Sequence, residues 1–127
     1  MVIRLDLRLG KKDIEDIVVT ALEGGIGYWA CLDNTGKEFE NVPKDEPVAI
    51  TAASVLLDGG TLTFFDNENG DEYYLDLGML MDGIKRFWMD YDSNGIIKNG
   101  HIDTYNLDAS DADVIFQYAM FDEIVFG

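Results

Sequence analysis

The sequence is poor in cysteine, histidine and long apolar runs, and each shortage excludes a class of protein. Its 127 residues include one cysteine, Cys31, and one histidine, His101. A lone cysteine cannot form a disulfide within the chain, and a structural zinc site normally needs four nitrogen or sulfur ligands. No run of roughly 18 apolar residues is present, and the N-terminal sequence lacks the apolar stretch of a signal peptide. We therefore expect a cytoplasmic protein with no membrane partner.

Basic residues are also scarce. Nine Lys and Arg stand against 25 Asp and Glu, which gives a formal net charge of −16 at pH 7. Direct binding to nucleic acid is not expected, because nucleic-acid-binding domains place basic residues over phosphates. The C-terminal part of the chain, from Asn99 onward, has no Lys or Arg and six acids: Asp103, Asp108, Asp111, Asp113, Asp122 and Glu123. We expect these six side chains to form a negative surface that attracts a basic protein surface.

His101 and Cys31 lack the sequence context of catalytic residues. A general base needs a pocket and a partner that orients it, and spacing alone does not establish contact between His101 and Asp103. Cys31 falls within an apolar segment, which favours a buried and unreactive thiol. No glycine-rich phosphate-binding motif is present. The chain is therefore not expected to be an enzyme.

Apolar residues recur at helical spacing in three segments, which begin near Asp13, Leu77 and Asp108. Asp13 and Asp108 are expected helix N-caps, because a carboxylate can accept hydrogen bonds from the first free backbone N–H groups. Gly24-Gly25 is expected to end the first helix, with one glycine in the left-handed conformation. The segment 48–57 could be a strand or a short helix, and its small residues favour the helix.

Several shorter segments have the pattern of β-strands. Alternating apolar and polar residues predict a strand over 2–9, and aromatic and apolar residues predict another over 28–32, with a short return strand over 37–42. The segments 61–65 and 72–77 are expected to pair as a hairpin across the turn between them. Hydrophobic residues make up 47% of the chain. The sequence thus predicts a single α+β domain over residues 1–127, an antiparallel sheet of four to five strands with about three amphipathic helices packed on it.

Residues 90–101 match part of a calcium-binding loop. Asp90, Asp92 and Asn94 occupy alternating ligand positions, and Gly95 supplies the bend that makes them converge. The position of the bidentate glutamate is held by His101, so two oxygen ligands and one negative charge are missing. Two interpretations stay open, a calcium site and a polar turn that follows a helix. Calcium is the only cofactor that the sequence suggests.

Two segments resemble a family of small uncharacterised proteins from phages and mobile elements of Firmicutes. The first is residues 20–29, TALEGGIGYW, and the second is residues 101–121, which contain IDT, LDA, AD, QYA and Phe121 at characteristic intervals. Residues 59–62 and 80–88 fit the middle of the family pattern, so the similarity covers most of the chain. The calcium-like residues 90–94 do not belong to that pattern. The resemblance implies an origin in a mobile element and implies no activity.

Two functional hypotheses follow from the sequence. The first is a non-enzymatic acidic protein-interaction module, which could inhibit a host defence protein or a nucleic-acid-binding protein by imitating the phosphates of DNA. The second is a calcium-binding protein that uses the loop 90–101. A simpler interpretation of the charge is that it only keeps the protein soluble.

Overall fold

The computed structural model describes residues 6–127. The strand predicted over 2–9 lies partly outside this range. Within it, Arg8 forms an isolated parallel bridge with His101, and its backbone N–H donates to Gly100 O at 2.6 Å. The first described residues therefore run beside a later segment of the chain.

The described residues contain four α-helices, and three of them match the predicted segments closely. They are α1 (Lys11–Thr20), α2 (Val48–Leu57), α3 (Leu77–Asp90) and α4 (Ala109–Phe121). Asp108 is the N-cap of α4, as predicted, and α2 is helical as the small residues indicated. The prediction for Asp13 is wrong, because the N-cap is Gly10, three residues earlier, and α1 begins at Lys11. Asp13 lies in the first turn instead, where its Oδ2 accepts from Gly10 N at 2.9 Å.

The first helix does not stop at the two glycines in the predicted way. It continues as a π-helical turn over Ala21–Gly25, and neither Gly24 nor Gly25 has a positive φ. A Cβ atom on Gly25 would lie 2.9 Å from the carbonyl oxygen of Ala109, at the start of α4. Gly25 is therefore needed because two backbones approach closely there, and the left-handed cap that was predicted is wrong.

The strands form two small antiparallel sheets, whereas the sequence predicted one sheet of four to five strands. The first sheet has the order β1 (Ala30–Leu32), β2 (Leu62–Asp66) and β3 (Glu72–Leu75), and the second pairs β4 (Ile97–Lys98) with β5 (His101–Ile102). The predicted hairpin of β2 and β3 is confirmed. The return strand predicted over 37–42 is wrong, because Lys37–Phe39 forms a 3-10 helix and β1 pairs with β2.

Helices pack mainly on one another and less on the sheet than predicted. Among pairs of helices, the most extensive contacts join α3 to α4 and α1 to α2. One hydrophobic cluster contains side chains from all four helices and the first sheet, and at its centre Phe64 of β2 meets Phe116 of α4 edge to face at 6.2 Å. The fold is α+β. No helix within residues 6–127 is both long enough and apolar enough to span a membrane.

Candidate protein-interaction surface

Carboxylates outnumber cations among the exposed residues of 6–127. Sixteen of the 25 acidic residues are exposed. Within residues 6–127, the ion pairs use two cations, Lys12 with Glu15 and Asp16, and Arg86 with Asp90 and Asp122. Asp90 and Asp122 are the exposed acids in these pairs, so fourteen other exposed carboxylates have no ion-pair partner in the described part of the chain. The arrangement gives the protein many negative groups that solvent and a partner can reach.

Two of the six C-terminal acids build the start of α4. Asp108 Oδ1 accepts from the backbone N–H of Asp111 at 2.8 Å, and Asp111 Oδ2 accepts from the N–H of Asp108 at 3.1 Å. This reciprocal capping satisfies two backbone donors that the helix itself cannot. Asp108 is exposed, whereas Asp111 is buried. Asp111 therefore does not belong to the accessible negative surface on which the sequence placed it.

Asp113 is also buried, and it is the acceptor of a polar network. Its Oδ2 accepts from the hydroxyl of Tyr28 at 2.6 Å, and its Oδ1 accepts from Trp29 Nε1 at 2.8 Å and from Gln117 Nε2 at 2.9 Å. The prediction that Asp113 contacts a partner is corrected for the same reason as for Asp111, because burial and internal hydrogen bonds occupy the carboxylate. The network joins the two sequence segments that carried the family resemblance.

The Asp113 network also holds the C-terminal tail. Gln117 Oε1 accepts from the backbone N–H groups of Val125 and Phe126 at 2.7 and 2.8 Å. The ring of Phe126 stacks on Trp29 with centroids 4.8 Å apart and an interplanar angle of 8°. Although 56% of Tyr28 is exposed, its hydroxyl is directed at buried Asp113. Loss of water around that hydroxyl, followed by its hydrogen bond to Asp113, raises the pKa of Tyr28 to about 12. Tyr28 thus remains protonated, and a hydrogen-bond donor, to a higher pH than an ordinary tyrosine does.

The remaining three predicted acids are exposed and lie on different elements. Asp103 precedes α4 and accepts from the side-chain amide of Asn106 at 2.6 Å. Asp122 ends α4 in the left-handed conformation, and its carboxylate accepts from Arg86 at 2.9 Å. Glu123 follows it and is exposed. Asp103, Asp108 and Glu123 are the C-terminal acids that remain accessible and outside the ion pairs, and their contact with a partner stays a prediction.

The predicted calcium ligands have other roles in the structure. Asp90 is the last residue of α3 and pairs with Arg86 one turn earlier. The two oxygens of Asp92 accept from the backbone N–H groups of Ile96 and Ile97, both at 2.7 Å. Asn94 is exposed, and no group of three or more His, Cys, Asp or Glu within residues 6–127 is arranged to hold a metal ion. The Asp92 hydrogen bonds are those of a polar turn, and a calcium site here stays a prediction.

Cys31 and His101 are both exposed, on β1 and β5 respectively. The expectation of a buried thiol is wrong. Side chains alternate between the two faces of a strand, and in β1 Ala30 is buried whereas Cys31 is exposed. The short run of apolar residues therefore did not indicate burial of the thiol.

The buried carboxyl of Asp111 should make the stability of the protein depend on pH. Burial first, and then the nearby carboxylates of Asp108 and Asp92, raise the pKa of Asp111 above its ordinary value of 3.8. An acid whose pKa is raised by folding destabilises the fold at pH values above the folded pKa, and this cost disappears below the unfolded pKa. We expect Asp111→Asn to raise the melting temperature at pH 7, because it removes the charge of the buried carboxyl. The amide oxygen of asparagine can still accept a hydrogen bond from Asp108 N. The gain should shrink as the pH falls toward 3.8.

Melting curves from pH 7 down to pH 3.5 measure this effect. Asp82→Asn removes an exposed charge from α3 and is the control for a general change in net charge. A stabilisation by Asp111→Asn that is the same at every pH, or no larger than that of the control, would contradict the assignment of the cost to this buried carboxyl.

No protein-family model, curated protein or solved structure matches the chain.

Proposed function

We propose that this chain is a non-enzymatic protein-interaction module that binds a basic protein surface. The observation that supports it best is the set of fourteen exposed carboxylates outside the ion pairs of the described residues. Charges of one sign produce a field that extends beyond contact distance and accelerates the encounter with an oppositely charged partner. Because the carboxylates are not neutralised internally, the field is available to such a partner.

The finer proposal is that the carboxylates occupy a phosphate-binding surface of the partner. The hairpin of β2 and β3 carries exposed Glu68, Asp71 and Glu72 around its turn. Asp66 fixes this turn, because its Oδ1 accepts from the N–H of Glu68 at 2.8 Å and its Oδ2 accepts from Tyr73 Oη at 2.7 Å. The Tyr73 bond is the largest of the causes that lower the pKa of Asp66, so the carboxylate stays charged to a lower pH than an ordinary aspartate does. Because the backbone of the turn is already ordered, binding does not have to order it.

The proposed biological setting follows the sequence resemblance. The partner would be a host defence protein or another nucleic-acid-binding protein, and the chain would come from a phage or mobile element and act in the cytoplasm of its bacterial host. The chain would compete with nucleic acid for the partner's basic groove and would not itself contact nucleic acid.

Competition for a basic groove tests the proposal. A short fluorescent DNA duplex is bound to several purified, sequence-nonspecific DNA-binding proteins, and fluorescence anisotropy follows its release as this chain is added. We expect release at low ionic strength from at least one of these proteins. The variant Glu68→Gln/Asp71→Asn/Glu72→Gln should release less, while the charge-preserving variant Glu68→Asp/Asp71→Glu/Glu72→Asp should act like the parent chain.

The outcomes distinguish the proposal of an interaction module from the more specific proposal of phosphate mimicry. Binding to a basic protein without release of the duplex would support the interaction module and contradict phosphate mimicry. Failure to bind any of the basic proteins at low ionic strength would contradict both.

A further inference from the structure

A groove beside α2 combines an apolar floor with an acidic rim. It encloses about 430 Å³ between α2, the 3-10 helix and the loop that joins them. Its lining includes Val42 and Val55 together with the carboxylate residues Glu38, Glu46 and Asp58. None of the residues that line it is Lys, Arg or His. The volume lies in the range of pockets that hold small ligands, roughly 300–1,000 Å³.

The walls of the groove are held in place by contacts within the protein. Glu46 Oε2 accepts from the hydroxyl of buried Thr51 at 2.8 Å, so this carboxylate is oriented before any ligand arrives. The backbone N–H of Gly60 donates to Val55 O at 2.8 Å. A Cβ on Gly60 would lie 2.8 Å from Cγ1 of Val55, which means that glycine lets the chain close against the floor. The groove is therefore part of the ordered fold.

We propose that this groove binds one arginine side chain of a basic partner protein. The aliphatic stem of the arginine would lie along Val42 and Val55, and its guanidinium would reach the carboxylates of the rim. A guanidinium offers five N–H donors in a plane and pairs with carboxylates through two parallel hydrogen bonds. Because the groove offers apolar side chains together with three carboxylates, it can recognise the stem of an arginine as well as its charge.

This inference rests on the proposed function, because it takes the partner to be a basic protein and names the place where its anchor residue binds. Arginine in a partly enclosed pocket is a frequent source of binding energy at protein interfaces. Lysine would bind more weakly here, because its ammonium is a strongly hydrated point charge that cannot form the paired hydrogen bonds of arginine.

A peptide titration followed by ¹⁵N NMR tests the groove directly. The probe is a short alanine peptide with one central arginine, and the reference peptide carries citrulline, which has nearly the same shape and no charge. We expect chemical-shift changes from the arginine peptide to concentrate at Val42, Thr51 and Val55. The citrulline peptide should bind at least about tenfold more weakly than the arginine peptide. A third peptide, with lysine at the central position, should bind with an affinity between the two.

Two matched double variants assign the binding to the rim. Glu38→Gln/Asp58→Asn should weaken the arginine peptide at least about tenfold. Glu23→Gln/Asp82→Asn removes the same charge from two exposed positions, on the π-helical turn and on α3, that do not line the groove, and it should change the affinity less than about twofold. Glu46 is left intact because its bond to Thr51 supports the fold. Unchanged ¹⁵N shifts outside the groove would establish that each variant is folded.

Equal effects of the two double variants, equal binding of the citrulline peptide, or shifts spread evenly over the acidic surface would each overturn the groove assignment. If a basic protein still binds the Glu38→Gln/Asp58→Asn variant with the parent affinity, the groove fails as the anchor and the proposed function stands. If neither the arginine peptide nor any basic protein binds the parent chain, both proposals fail.

Discussion

Replacing Asp113 with alanine should lower the free energy of unfolding by about 3 kcal/mol or more. The carboxylate is buried and accepts hydrogen bonds from Tyr28, Trp29 and Gln117. Alanine would leave these three donors without their common acceptor, and a buried unsatisfied donor costs roughly 1–3 kcal/mol. The costs are not additive, because the three donors belong to one network and can relax together.

Urea denaturation of the purified variant, read by far-UV circular dichroism, measures the loss. Asp113→Asn keeps one acceptor oxygen and should lose less stability than Asp113→Ala. Asp103→Ala removes an exposed carboxylate from the same part of the chain and should change stability by less than about 1 kcal/mol. Equal losses for Asp113→Ala and Asp103→Ala would show that the buried network does not stabilise the fold.

Gly83→Ala should destabilise the protein by roughly 1–3 kcal/mol, although alanine favours a helix over glycine by about 1 kcal/mol when nothing else changes. Gly83 lies inside α3, where α3 packs against α4. A Cβ at this position would lie 2.6 Å from the carbonyl oxygen of Ile115 and 2.8 Å from the backbone nitrogen of Ala119. Backbone atoms cannot move aside without separating the two helices, so the steric cost exceeds the gain in helix propensity.

Gly78→Ala is the matched control in the same helix. The nearest atom to its new Cβ would be Asp76 Oδ1 at 3.5 Å, which is ordinary van der Waals contact. We therefore expect Gly78→Ala to stabilise the protein by up to about 1 kcal/mol. Urea denaturation gives the change in the free energy of unfolding for each variant. Changes of opposite sign would support the close packing of α3 on α4, and changes of the same sign would contradict it.

Local signals in the sequence predicted the elements that depend on neighbouring residues. The Asp108 cap, the helix over 77–90 and the hairpin of β2 and β3 follow from a capping carboxylate, helical periodicity and turn residues. The partner of β1 could not be found in this way. The turn residues after Leu32 suggested a local return strand, whereas β1 pairs with β2, which begins thirty residues later in the chain. Long-range pairing of this kind leaves no local pattern.

The sequence predicted that the candidate surface is acidic. It did not predict correctly which acidic residues belong to that surface. The excess of acids in the C-terminal part assigned Asp113 to an exposed negative surface, yet all residues of α4 from Asp111 to Gln117 are buried. The helix is enclosed by α3, by the π-helical turn and by the C-terminal tail, which Gln117 holds. The acids around the groove were missed because Glu38, Glu46 and Asp58 come from different segments that only the fold brings together.

Carboxylates left outside ion pairs are proposed to attract a basic partner. The most direct test of this attraction is the affinity of this chain for a nona-arginine peptide, measured by isothermal titration calorimetry as sodium chloride is raised from about 0.02 to 0.3 M. Screening of exposed charges strengthens over this range, so we predict that the affinity falls at least about tenfold. An affinity that does not change with salt, or no binding at the lowest salt concentration, would contradict the account.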